Sequence, residues 1–226
     1  MYKILIIVVF VIGVAVLLYP RVAQWFSARN QELAIKSYFD EIAGESDEDI
    51  KGRIENAGIY NRGLAGDIYE NDSRHDKDYE SCSSALAVGD DNIICVVEIP
   101  KINVKLPVYS GTADEDLEKG AGHIEGTSLP VGGKGTHCCI SAHRGLPNAR
   151  MFRDLDQIEI GDEFSIYTLN EKLTYTVDDI RVVEPDDVSS LVIDENRDYV
   201  TLVTCTPYII NSHRLLVRGE IKSQEF

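Results

Sequence analysis

The sequence is short of positive charge. Twenty-two Lys and Arg stand against 38 Asp and Glu, a formal net charge of −16 over 226 residues. So acidic a chain repels phosphate backbones and anionic headgroups, which argues against a nucleic-acid partner and against docking on anionic lipid. Five cysteines occur, Cys82, Cys95, Cys138, Cys139 and Cys205, but no Cys-x-x-Cys pair, so neither a zinc site nor a thioredoxin-like pair is indicated. The acidic residues show no EF-hand spacing, and no metal or cofactor is expected. The run Gly132-Gly133-Lys134-Gly135-Thr136 lacks a Ser or Thr directly after its Lys and precedes a strand-like run. A glycine-rich turn fits it better than a phosphate loop. No internal repeat is present.

One long apolar run is present. Ile4 to Tyr19 carries a single Gly and no charge, and Pro20-Arg21 closes it. At ~1.5 Å per residue the run covers about 24 Å as a helix, and Met1, Tyr2, Val22 and Ala23 extend it toward the ~30 Å of a hydrocarbon core. No small-x-small cleavage site follows; Trp25 and Phe26 do. The reading is an uncleaved single-pass anchor over residues 1–23, with the rest of the chain on the extracellular face.

Residues 24–84 read as a helical segment followed by a loop. Pro20 to about Ala43 repeats apolar residues at rough three-and-four spacing, including Leu33, Ile35, Tyr38, Phe39 and Ile42. A second helical or mixed segment spans about Asp47 to Leu64. From Gly66 to Ser84 aliphatics thin out, which predicts a long exposed loop, with a lid as its functional reading.

Residues 85–226 change texture. Short runs rich in Val, Ile, Thr and Tyr recur at Ile93–Ile99, Val104–Tyr109, Thr136–Ser141, Glu163–Leu169, Lys172–Asp178, Ile180–Val183, Tyr199–Thr204 and Arg214–Ile221. Turn residues separate most of them, the pattern of a mostly β antiparallel sandwich or closed barrel. Asn170-Glu171 reads as a hairpin turn. Phe152, Leu155 and Ile158 predict a short helix over Met151–Ile160.

Three residues stand where chemistry can be done. Cys205 ends a strand-like run and Thr206-Pro207 breaks it, so its thiol is presented at a strand end. A cysteine nucleophile needs a partner to manage protons. Of His75, His123, His137, His143 and His213, His143 sits at the end of the run Cys138-Cys139-Ile140-Ser141-Ala142. Arg214 opens the next apolar run after Cys205, where two strands joined by a loop set a guanidinium beside the thiol. Its planar fork can hold an oxyanion or a substrate carbonyl.

These residues lie in blocks that resemble one family. Thr201-Leu202-Val203-Thr204-Cys205 followed by Arg214 is similar to the TLxTC…R signature of sortases, membrane-anchored cysteine transpeptidases of Gram-positive bacteria. Glu125–Gly133, Ser141–Pro147, Phe152-Arg153-Asp154-Leu155, Thr206-Pro207-Tyr208 and Tyr60-Asn61-x-x-Leu64 resemble the pilin-polymerising class C branch, over roughly residues 30 to 222. The resemblance implies an eight-stranded sortase-type β-barrel with N-terminal helices. It implies Cys205, His143 and Arg214 as the catalytic trio, acting on an LPXTG-like sorting motif between Thr and Gly. The acyl group would pass to an amine, a pilin lysine in class C. Asp67 and Tyr69, the nearest echo of the class C lid motif, and Thr204 are the residues expected at the lid or substrate. The lid segment contains no Asp-Pro. Anchoring of surface proteins to cell-wall peptide is the alternative. A non-catalytic surface-binding barrel and a purely hydrolytic cysteine protease are the readings from other classes.

Overall fold

The computed structural model describes residues 2–66, 84, 86–89 and 92–225 of the chain. Helix α1 runs unbroken from Tyr2 to Ile42, with Pro20 inside it. The sequence reading divided this stretch at Pro20. A proline forfeits only one intrahelical bond, and the apolar run on either side continues as helix. Every residue of the apolar run Ile4–Tyr19 is exposed, whereas Ile35, Tyr38 and Ile42 are buried at helical spacing. Tyr38 acts as a peg: its hydroxyl accepts the Leu169 N–H at 2.8 Å and donates to the Ile94 carbonyl at 3.3 Å.

Helix α2 spans Asp47–Gly66. Ser46 caps it, accepting the Asp49 N–H at 3.2 Å, and Asp47, Glu48 and Asp49 sit in the first turn where the helix dipole favours anions. Asn61 docks α2 on the barrel. Its amide donates to the Leu129 carbonyl at 3.0 Å and accepts the Leu129 N–H at 2.7 Å, as the backbone of a neighbouring strand would.

Eight strands follow: β1 Ile93–Ile99, β2 Val104–Tyr109, β3 Ala121–His123, β4 Thr136–Ser141, β5 Glu163–Thr168, β6 Glu171–Val183, β7 Asp198–Thr206 and β8 His213–Glu225. They close into a barrel in the order β1-β2-β3-β4-β7-β8-β6-β5. The pairs β2·β3 and β4·β7 are parallel and the others antiparallel. Closure leaves no open sheet edge.

The strand count agrees with the sequence reading, but the strands are not all the same ones. Lys172–Asp178 and Ile180–Val183 are one strand, β6, whose register slips at a bulge between Val177 and Asp179. Strand β3 is Ala-Gly-His, too short and too bland to carry a pattern. The expected helix over Met151–Ile160 is a set of turns with a 3-10 segment at Leu155–Gln157. Met151 has φ of 45°, which no helix interior accepts. The three-residue spacing of Phe152, Leu155 and Ile158 suits the tighter 3-10 turn. The hairpin turn lies one residue earlier than expected, at Leu169-Asn170, because Glu171 already pairs with Thr168.

Candidate active site

The ring order sets β7 between β4 and β8, and the register aligns Cys205 with a basic side chain there. Cys205 lies directly opposite Arg214 in the antiparallel β7·β8 pair. Directly opposed residues share a face, with Cβ atoms about 4.5–5.5 Å apart. On the other flank β4 runs parallel to β7, with Ser141 level with Val203. The ladder persists one residue further, since the Ala142 N–H donates to the Val203 carbonyl at 3.1 Å. His143 lies just past the end of β4, two residues beyond Ser141, and the same register carried on by two residues would set it level with Cys205. All three residues are half-buried.

Local interactions hold this arrangement. The His143 carbonyl accepts the Phe152 N–H at 3.1 Å. Arg214 Nη1 donates to the Asn211 and His213 carbonyls at 3.4 and 3.2 Å, which turns the guanidinium toward the 207–212 loop. Thr204 is buried, and its hydroxyl donates to the Ala142 carbonyl at 2.8 Å. The structure therefore gives Thr204 an inward tether between β7 and the end of β4, not a hydroxyl open to a substrate. Alternation carries that signal: a Cys205 facing out requires a Thr204 facing in. Asp67 and Tyr69 lie outside the described residues.

The remaining cysteines and histidines are differently placed. Cys95, Cys138 and Cys139 are buried; burial pushes the Cys139 thiol up to about 12 and raises the other two as well. Thiols so placed are inert. His123 is buried, which pulls its imidazole down to about 4, and its Nε2 donates to the Ser128 carbonyl at 2.9 Å. His137 is likewise lowered by burial; its Nδ1 must donate to the Val192 carbonyl at 2.9 Å, so Nε2 accepts the Thr201 hydroxyl at 2.7 Å. His213 faces Glu184 at 3.2 Å, on the opposite side of β8 from Arg214. His75 lies outside the described residues. Among the described residues no three His, Cys, Asp or Glu side chains are grouped to hold a metal ion. What the site offers is a half-buried thiol directly opposite a guanidinium, with an imidazole on the chain that leaves the neighbouring strand.

Known proteins share this architecture. The sortase domain model matches residues 97–222. Sortase D of Bacillus subtilis strain 168 is 32% identical over 113 residues, covering 50% of this chain and 54% of that protein. Sortase A of Bacillus anthracis is 28% identical over 129 residues, 57% of this chain and 60% of that protein. The chain thus spans little more than half the length of these curated relatives. Among solved structures, sortase C1 of Streptococcus agalactiae is 44% identical with a TM-score of 0.79, over 84% of this chain and 98% of that one. Sortase C of Clostridium perfringens, solved with the C-terminal cell wall sorting motif, is 42% identical with a TM-score of 0.74 over the same shares. With a family match over more than half its residues, a closed eight-stranded barrel and class C enzymes as structural neighbours, the chain belongs to the sortase family.

Proposed function

We propose that this chain is a pilin-polymerising cysteine transpeptidase in which Cys205, His143 and Arg214 are the catalytic residues. The observation that carries the reading is the register that sets Cys205 opposite Arg214, on a strand whose other neighbour, β4, ends two residues before His143. Cys205 Sγ attacks the Thr carbonyl carbon of an LPXTG-like motif, and Arg214 donates to the resulting oxyanion. The C–N bond to Gly then breaks. The thiol's proton reaches the departing amine through His143, and a thioester remains on Cys205. An incoming lysine amine attacks that thioester and gives its proton to His143. The sulfur leaves as the isopeptide bond forms. The likeness to class C structures supports a pilin lysine as the acceptor, with sorting-signal proteins as donors. The apolar, exposed N-terminal part of α1, long enough to cross a membrane, supports a membrane anchor, and membership of the sortase family supports a barrel on the outer face.

The test is incubation of the purified chain with an LPXTG peptide, with and without an amine. Mass spectrometry is expected to find an acyl adduct on Cys205 that Cys205→Ala abolishes, and a transferred product when the amine is present. Absence of both from the parent enzyme defeats the reading. A lysine-bearing pilin should give a ladder on a gel; transfer only to a cell-wall peptide amine would make wall anchoring the function instead.

A further inference from the structure

Two arginines cross beneath the loop that carries His143. Arg144, the next residue, is only 6% exposed. Its Nε donates to the Arg153 carbonyl at 3.0 Å and its Nη2 meets Asp156 at 2.7 Å. Its Nη1 is buried with no hydrogen-bond partner among the described residues. Arg153 reaches back: its Nη2 donates to the Leu146 carbonyl at 2.9 Å. Its guanidinium also lies 5.7 Å from the ring centre of Tyr208, on the loop that follows Cys205. Gly145, at φ of 132°, gives Arg153 room, since a Cβ there would lie 2.8 Å from Arg153 Nε.

Packing alone does not explain an arginine at 144. Burying a guanidinium forfeits its hydration, and an apolar side chain of the same volume would fill the space without that loss. What arginine adds is direction. Its bond to Arg153, the Phe152-to-His143 bond and the reciprocal Leu146–Ala149 pair hold residues 143–146 at both ends. Arg153 extends the same grip to the loop after Cys205.

We propose that Arg144 and Arg153 form a reciprocal clasp that positions His143 relative to Cys205, with Arg144 as the positioning residue of the imidazole. The inference rests on the transpeptidase reading above. Neither guanidinium need touch the substrate. A displacement of about 1 Å at a reacting group can cost about 10²-fold in rate, so loosening the clasp acts on turnover and not on peptide affinity.

The experiment uses the full chain in detergent micelles, with 13C-labelled histidine and Arg144→Met as the variant. His143→Gln assigns the His143 signal. By the misplacement argument kcat for peptide transfer should fall about 10- to 100-fold while KM stays within about twofold. The His143 signal should shift, broaden or split. An unmoved His143 signal overturns the proposal whatever turnover does, since a lost rate would then belong to charge and not to placement. Should Arg144→Met show no cooperative melt, Arg153→Met decides by the same two readouts, because it breaks the other half and leaves the Arg144–Asp156 pair intact. A parent enzyme that forms no Cys205 adduct defeats the transpeptidase reading, and the His143 signal still judges the clasp.

Discussion

Asp198 allows a pH-dependent stability to be worked out from structure. It opens β7, at the opposite end from Cys205, and is 6% exposed. Burial raises its carboxyl to about 6, against the hydrogen bonds that lower it, among them those from the Gly133 N–H at 2.7 Å and the Tyr175 hydroxyl at 3.1 Å. In the unfolded chain an Asp titrates near 3.9. Between about pH 4 and 6 the native state therefore holds a proton that the unfolded state has lost, and stability falls as pH rises through that window. A gap of about two pH units at 1.36 kcal/mol each amounts to about 3 kcal/mol, lost in full above pH 6. Asp198→Asn removes the titration. Its amide oxygen can still accept from Gly133, but its NH₂ faces the Tyr175 oxygen and displaces the buried hydroxyl proton, a cost of about 1–3 kcal/mol. The absolute stability of the variant at pH 7 should thus change little, while the slope changes. Urea melts of parent and variant from pH 4 to 7 should give a difference curve rising by about 3 kcal/mol in favour of the variant across the window. Parallel curves would refute the reasoning, since a carboxyl exposed or already paired in the native state gives no such divergence.

Two substitutions test the site from its flanks. Arg214→Lys keeps the charge but loses the planar fork, and should lower kcat/KM for the sorting peptide by up to about 10²–10³-fold, the usual cost of an oxyanion donor. Alkylation of Cys205 by a small thiol reagent should stay comparatively fast, showing that the nucleophile is still presented. Thr204→Val preserves shape and deletes the bond to Ala142. The stranded carbonyl should cost about 1–3 kcal/mol in a denaturant melt, and an unchanged midpoint would mean that the tether contributes nothing.

Much of the barrel is legible in the sequence because its strands are apolar, β-branched and ended by Gly, Pro, Asn or Asp. β6 reads as two strands because Asp178-Asp179 has the look of a turn, whereas a bulge there lets one strand continue through it. β3 is held by its neighbours and not by its own residues. Pro20 reads as a boundary because local chemistry disfavours it, yet a helix with strong formers on either side runs through. The juxtaposition of Cys205 with Arg214 is readable because each terminates a run and one loop joins them. The burial of Arg144 is not readable. A charged residue before a glycine resembles any exposed turn, and only the fold reveals that Arg153 and Asp156 return to meet it.

Around the ring of eight strands β1 stands diametrically across from β7. Tyr38 fastens α1 at β1 and at the β5–β6 turn, and Gln31 reaches the Lys119 carbonyl and Met151, so the helix grips the cylinder at several points. With α1 as membrane span, the enzyme rides on a stiff mast and not on a leash. From residue 23 to Tyr38 that mast rises about 22 Å at ~1.5 Å per residue. The barrel is thereby held at a fixed height above the end of that span. One added helical turn would lift it by about 5 Å and swing it sideways, so the spacing between bilayer and barrel is itself a dimension of the enzyme.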